Sequence, residues 1–151
     1  MGKQPGIETN RTGLLTVLSV SPSGDDHSCL EAIIGHSRWT FLTAAGLLPA
    51  SAVCEKHDVS VVVCERDLRP GTWIDLLGHI ERLSHPPSLI VTSRLADERL
   101  WAEALKLGAW DVLSKPFQPG EVLRSVKLAW EHWYHRGQMA TRALNLLSEA
   151  S

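Results

Sequence analysis

Five short apolar runs punctuate the chain, and after each comes a stretch whose apolar positions recur at helical spacing. The first run, residues 14–20 (LLTVLSV), is bounded by the turn-like SPSGDD and reads as a buried strand. From Asp25 to His36, Leu30, Ile33 and Ile34 predict a helix, with Asp25 and Asp26 read as capping charges on its first turn. Trp39–Ala44 (WTFLTA) reads as an edge strand, and Pro49–Lys56 as a short helix opened by proline. Val59–Glu65 is apolar almost throughout, as a central strand covered on both faces should be. Trp73–Leu83 carries Ile74, Leu77 and Ile80 at helical spacing, and Pro86-Pro87 stops it. Ser88–Ser93 (SLIVTS) is the fourth predicted strand. Asp97–Leu107 is a helix with Leu100, Ala104 and Leu107 on one face, closed by Gly108. Asp111–Ser114 is a brief fifth strand, and Pro119–Arg136 a last helix striped by Val122, Val126, Ala129 and Trp133.

Strands alternating with helices in this way predict a parallel sheet with helices on both faces. The organisation expected is a polar N-terminal arm at 1–13, one α/β domain at 14–136, and a C-terminal tail at 137–151. That tail has the makings of a further amphipathic stretch through Met139, Ala143 and Leu146. The length, 151 residues, suits one such domain, and the 15 residues after Arg136 are too few for an output domain. A net charge of −2 and a pI near 6.4 argue against a nucleic-acid partner. No apolar run reaches the length of a membrane span, and the start lacks the apolar core of a secretory signal, so a cytoplasmic protein is expected. Three cysteines without CxxC spacing (Cys29, Cys54, Cys64) read as reduced thiols, Cys64 as a small core residue in its strand.

In open α/β sheets ligands bind beyond the carboxyl ends of the strands. The residues there are Ser21-Pro22, Glu65, Thr92-Ser93 and Lys115. Together with LIVTS, the stretch ALKLGAWDVLSKPF resembles the second half of a bacterial response-regulator receiver domain, CheY-like, and the likeness runs from about Leu14 to Arg136. The resemblance implies a flavodoxin-like, doubly wound five-stranded parallel sheet of order 2-1-3-4-5. It also implies that an Asp on the third strand takes a phosphoryl group from a histidine kinase. Thr92 then stands at the switch hydroxyl, and Lys115 at the lysine that pairs with the phosphorylated carboxylate. Lys115-Pro116 stands at a bond that the family usually makes cis, and Val112 where it has a switch aromatic.

Two further departures from that pattern matter more. Ser21 and Pro22 stand where the family has its Mg²⁺-holding acidic pair, and Glu65 stands at the phosphoacceptor position, with Asp67 as its rival. Mg²⁺ is usually held by one or two carboxylates plus phosphate oxygens, and Glu65 alone offers one acid of the expected three. Glu65, a methylene longer than Asp, could reach Lys115 and imitate part of the phosphorylated state, or the two could simply satisfy each other. The expectation is therefore a pseudo-receiver that binds proteins and catalyses nothing, without cofactor. The alternative is a phosphorylatable regulator using Glu65 or Asp67 with Mg²⁺. His132 and His135, one turn apart with no further ligand in view, read as a polar face; no metal site is expected. The SVSPSGDD turn is too generic to argue for flavin. Trp110, Trp130, Trp133 and Tyr134 crowd the last helix and read as a contact surface for a kinase, an effector or a second copy. The competing reading is that the tail folds back over them.

Overall fold

The computed structural model describes residues 15–35 and 38–150. The expected N-terminal arm, Leu14, His36 and Ser151 lie outside these residues. In chain order the elements are β1 (Thr16–Val20), α1 (Gly24–Ile34), β2 (Thr40–Ala44), α2 (Leu47–Lys56), β3 (Val61–Glu65) and α3 (Trp73–Ile80). They continue with β4 (Ser88–Ser93), α4 (Glu98–Leu107), β5 (Asp111–Ser114) and α5 (Pro119–Ala150). The five strands pair in the order β2-β1-β3-β4-β5, every pair parallel. This is the expected flavodoxin-like, doubly wound sheet.

Strand periodicity divides the core in two. Val61 and Val63 face a cluster containing Leu30, Ile34, Val122, Val126 and Ala129, which belongs to α1 and α5. Val62 and Cys64, one residue out of phase, face Ala50, Leu76, Leu77, Leu100 and Ala104, from α2, α3 and α4. Successive side chains of a strand point to opposite faces, so an unbroken apolar run serves both layers. In α3 the buried face is Trp73, Leu76, Leu77 and Ile80, and Ile74, expected on that face, lies at its exposed side. In α4, Leu100 and Ala104 are buried as expected, while Leu107 is exposed.

The last helix departs most from expectation. α5 is one uninterrupted helix of 32 residues, about 48 Å long at 1.5 Å per residue. No tail folds back over the tryptophans. The helix expected to end at Arg136 runs on through Gly137, whose small size lets the His85 ring approach: a Cβ there would come within 2.6 Å of it. The α3–β4 connection grips α5 at this level. His85 stacks on Trp133 at a centroid distance of 4.2 Å and bonds the Trp133 carbonyl through Nε2. Arg136 Nη2 donates to the Pro86 carbonyl, and Ser88 Oγ to that of Ala129.

The aromatic cluster is accordingly not the open surface expected. Trp133 is buried, Trp110 is half-buried against His132, and Trp130 and Tyr134 are half-buried against each other. The His85 ring covers Trp133 and His132 stacks on Trp110, while Trp130 and Tyr134 cover part of each other. The exposed large apolar side chains include Leu48 on α2, Leu95, Trp101 and Leu105 at and on α4, and Leu128, Met139, Leu144, Leu146 and Leu147 on α5.

Candidate functional site

The carboxyl ends of β1, β3, β4 and β5 open into a cleft of about 630 Å³ whose lining includes Ser21, Asp26, Glu65, Arg94 and Lys115. Sheet register builds its floor. Glu65, the last residue of β3, lies beside buried Thr92 of β4, and the Lys115 backbone N–H, just past β5, donates to the Ser93 carbonyl. The Lys115–Pro116 peptide is cis, as the resemblance implied.

The β3–α3 loop is closed by its own hydrogen bonds. The Arg66 N–H donates to the Thr92 carbonyl and that of Leu68 to Gly71, while Asp67 bridges to Thr72. Gly71 has φ +88°, a conformation that L side chains adopt reluctantly. Thr72 and Asp75 then form a reciprocal capping box that starts α3. This frame places Glu65 inward and Asp67 outward. The Asp67 carboxylate is engaged by Arg66 at 3.1 Å and its side chain is 46% exposed. The structure brings together Ser21, Glu65, Thr92 and Lys115 and leaves the rival Asp67 at the rim.

Asp26 corrects the sequence reading. It is not a capping charge: it is buried, and its Oδ2 accepts from Lys115 Nζ at 2.8 Å and from Ser21 Oγ at 2.6 Å. Lys115 Nζ also contacts Glu65 Oε1. The cleft therefore holds two carboxylates around one ammonium, where one acid was expected. The signal was present in the sequence: Asp26, Leu30 and Ile34 recur every fourth residue, and all three are buried on one face of α1. Asp25, its neighbour, is exposed.

The turn that carries Asp26 is held from both sides. Ser21 Oγ accepts the Ser23 N–H while donating to Asp26. The His27 ring meets the Ser21 carbonyl through Nε2 at 3.0 Å and Ser19 Oγ through Nδ1 at 2.8 Å. A carbonyl only accepts, so Nε2 carries the proton in this contact. Burial by itself lowers the Lys115 pKa, but hydrogen bonds to Asp26 and Glu65 and their negative charges outweigh it, so the lysine titrates above its ordinary 10.5. Burial, with the Glu65 charge adding to it, pushes the Cys64 thiol far up as well; Cys64 is a free, fully buried core thiol.

Among the described residues, no three or more His, Cys, Asp or Glu side chains are grouped to hold a metal ion. The Lys115 ammonium lies between the two carboxylates, and exposed Pro22 adds no side-chain oxygen. Among the described residues, no helix is long and apolar enough to cross a membrane.

A family model described as response regulator receiver domain matches residues 25–127. The chain is similar to the signal receiver domain of an HD domain-containing protein from Pseudomonas fluorescens Pf-5, at 21% identity and a TM-score of 0.75, over 83% of this chain and 93% of that one. It is similar to the chemotaxis response regulator CheY4 of Vibrio cholerae, at 19% identity and a TM-score of 0.70, over 77% and 98% respectively. A third similar structure is the beryllofluoride-activated NtrC4 receiver domain dimer, at 25% identity and a TM-score of 0.72, over 78% and 98%. No curated protein matches the chain.

Proposed function

The chain belongs to the response regulator receiver family, and from that premise we propose that it is a pseudo-receiver, signalling through protein contacts without Mg²⁺-dependent phosphorylation. Receiver domains are signalling modules of two-component systems, and the chain has that fold and that family's elements. The observation that carries the finer reading is the Lys115 ammonium shared between Asp26 and Glu65, with Asp26 tethered by Ser21.

Phosphoryl transfer asks a protein chiefly for positioning and charge neutralisation, much of it supplied by Mg²⁺. Here the positive charge between Asp26 and Glu65 is the lysine's own, and both carboxylates are already engaged with it. Ser21 and Pro22 supply neither of the acids that would draw a divalent cation inward. The Glu65 carboxylate meets Lys115 as a phosphoryl oxygen would, with one charge in place of nearly two, so the mimicry is partial. Its role is to hold the Lys115 and Thr92 ends of β5 and β4 in one arrangement.

The message then leaves through a surface. β5 is an edge strand, flanked on opposite faces by α4 and α5. Leu95 and Trp101 are exposed there by 66% and 46%, a better contact patch than the covered rings of α5. A histidine kinase, a downstream effector or a second copy is the partner class, and the cytoplasm the expected compartment.

The test is a titration of the full chain with Mg²⁺ and then beryllofluoride, followed by tryptophan fluorescence, with intact mass after exposure to a small-molecule phosphodonor. The expected result is no saturable response and no mass gain. Saturable metal binding with the gain of one phosphoryl group would establish the alternative, a phosphorylatable regulator, and mapping the modified residue would decide between Glu65 and Asp67.

A further inference from the structure

Beyond Arg136 the last helix carries a second face that the domain does not use. Met139, Leu144, Leu146 and Leu147 are each at least 60% exposed. With Ala140 and Ala143 they cover one continuous side of the helix at 100° per residue, while Gln138, Thr141, Arg142, Asn145, Ser148 and Glu149 take the other. Met139, Ala143 and Leu146 lie about 100° round the helix from the stripe that packs on the sheet (Val122, Val126, Ala129, Trp133).

We propose that residues 137–150 pair with the same segment of a second copy of this chain, antiparallel, about a two-fold axis at the level of residues 144 and 145. This goes beyond the reading above and holds whether or not the cleft accepts a phosphoryl group.

The argument is self-complementarity. Met139, Ala143 and Leu146 follow the 4-3 spacing of a coiled-coil seam, which places Arg142 on its flank and Glu149 one heptad later on the same flank. When two such helices run antiparallel, each seam position meets the opposite one, and each flank meets its own counterpart reversed. Ala143 then faces Leu146 of the second copy, Ala140 faces its Leu147, and Arg142 faces its Glu149. Large side chains meet small ones in every such layer, the arrangement that fills a helix interface without voids. Both charges, exposed and without a strong neighbour of opposite sign on their own helix, find one across the axis. A parallel pairing does neither: alanine would meet alanine, leaving a gap, and Arg142 would face Leu147. The antiparallel pair also sets the two globular domains at opposite ends.

The overlap, residues 139–150, is about 18 Å long. That is small for a specific interface and implies a weak, concentration-dependent dimer rather than an obligate one.

Sedimentation velocity of the full chain, from about 10 μM to 1 mM, reads the association directly, with circular dichroism confirming that each variant stays folded. The expected result is a monomer–dimer equilibrium that Leu146→Glu abolishes. Arg142→Glu or Glu149→Arg alone, each turning both cross-axis pairs into like charges, should weaken the dimer about tenfold. The double reversal R142E/E149R should restore it to within about threefold of the original. A monomer at every concentration overturns the proposal, as does a dimer indifferent to Leu146→Glu. A double reversal that fails to rescue overturns the antiparallel register.

Discussion

Replacing Lys115 with methionine tests the cleft's electrostatics most directly. The substitution keeps most of the aliphatic length and removes the charge. At 2.8 Å and an effective dielectric near 20, one ammonium–carboxylate contact carries about 6 kcal/mol of gross attraction. Much of that is offset in the native protein, because the lysine side chain is only 11% exposed and its burial opposes the charged form. The offset does not apply to the variant. There, Asp26 and Glu65, 12% and 14% exposed, face each other with no cation between them. Removing one partner of a buried pair costs 3–5 kcal/mol, and the open cleft places this case at the lower end, about 3 kcal/mol. With a urea dependence of about 2 kcal/mol per molar, the unfolding midpoint should fall by about 1.5 M at pH 7. The assay is urea unfolding followed by tryptophan fluorescence. Two further measurements isolate the cause: the deficit should shrink as pH falls through the carboxylate range, and adding Asp26→Asn should recover part of it. A midpoint lowered by less than about 0.3 M, or a loss unchanged between pH 7 and pH 4, would refute the reasoning.

Other expectations concern the frame and the titration of the site. Gly71→Ala forces a Cβ to 2.9 Å from an Asp75 carboxylate oxygen at φ +88°, and should cost about 1–2 kcal/mol in denaturant unfolding. Thr72→Ala removes the capping box of α3 and should cost about 1 kcal/mol, read as a drop in Tm. Because the folded protein raises the Lys115 pKa above 10.5, the stability linked to that proton is fully present below 10.5 and lost as pH rises through the higher folded value. Alkaline unfolding of the native chain should therefore begin above pH 10.5 with a component that the Lys115→Met variant lacks. His132 titrates below its ordinary 6.5, through burial and the charges of Arg136 and His135. A nuclear magnetic resonance titration should find this ring more than half neutral at pH 6.5.

Much of the layout was legible because it is governed by short-range periodicity. The runs ending at Val20, Glu65, Ser93 and Ser114 announce strands, and the stretch from Gly108 to Phe117 announces the edge where Lys115 sits. What the sequence concealed was direction. Asp25 and Asp26 are chemically alike and adjacent, and only the phase of Leu30 and Ile34 tells which faces inward. The helix end expected at Arg136 was wrong for a similar reason: that Gly137 serves a close approach is visible only from His85, 52 positions earlier in the chain. Trp133 misled because aromatic crowding implies an exposed surface unless another ring covers it, and the covering ring, His85, comes from a distant loop.

The grip of the α3–β4 loop on α5 makes a fulcrum. His85, Pro86 and Gly137 pin the helix where it leaves the domain, and from there a rigid rod of about 20 Å runs on to residue 150. A tilt of about 5° at the pin carries its tip sideways by about 2 Å, a displacement as large as many subunit-interface shifts. β4 is linked to both ends of such a movement. Its first residue, Ser88, holds α5 through the Ala129 carbonyl, and four residues on, Thr92 lines up with Glu65. A single strand thus spans from the charged cleft to the base of the projecting helix.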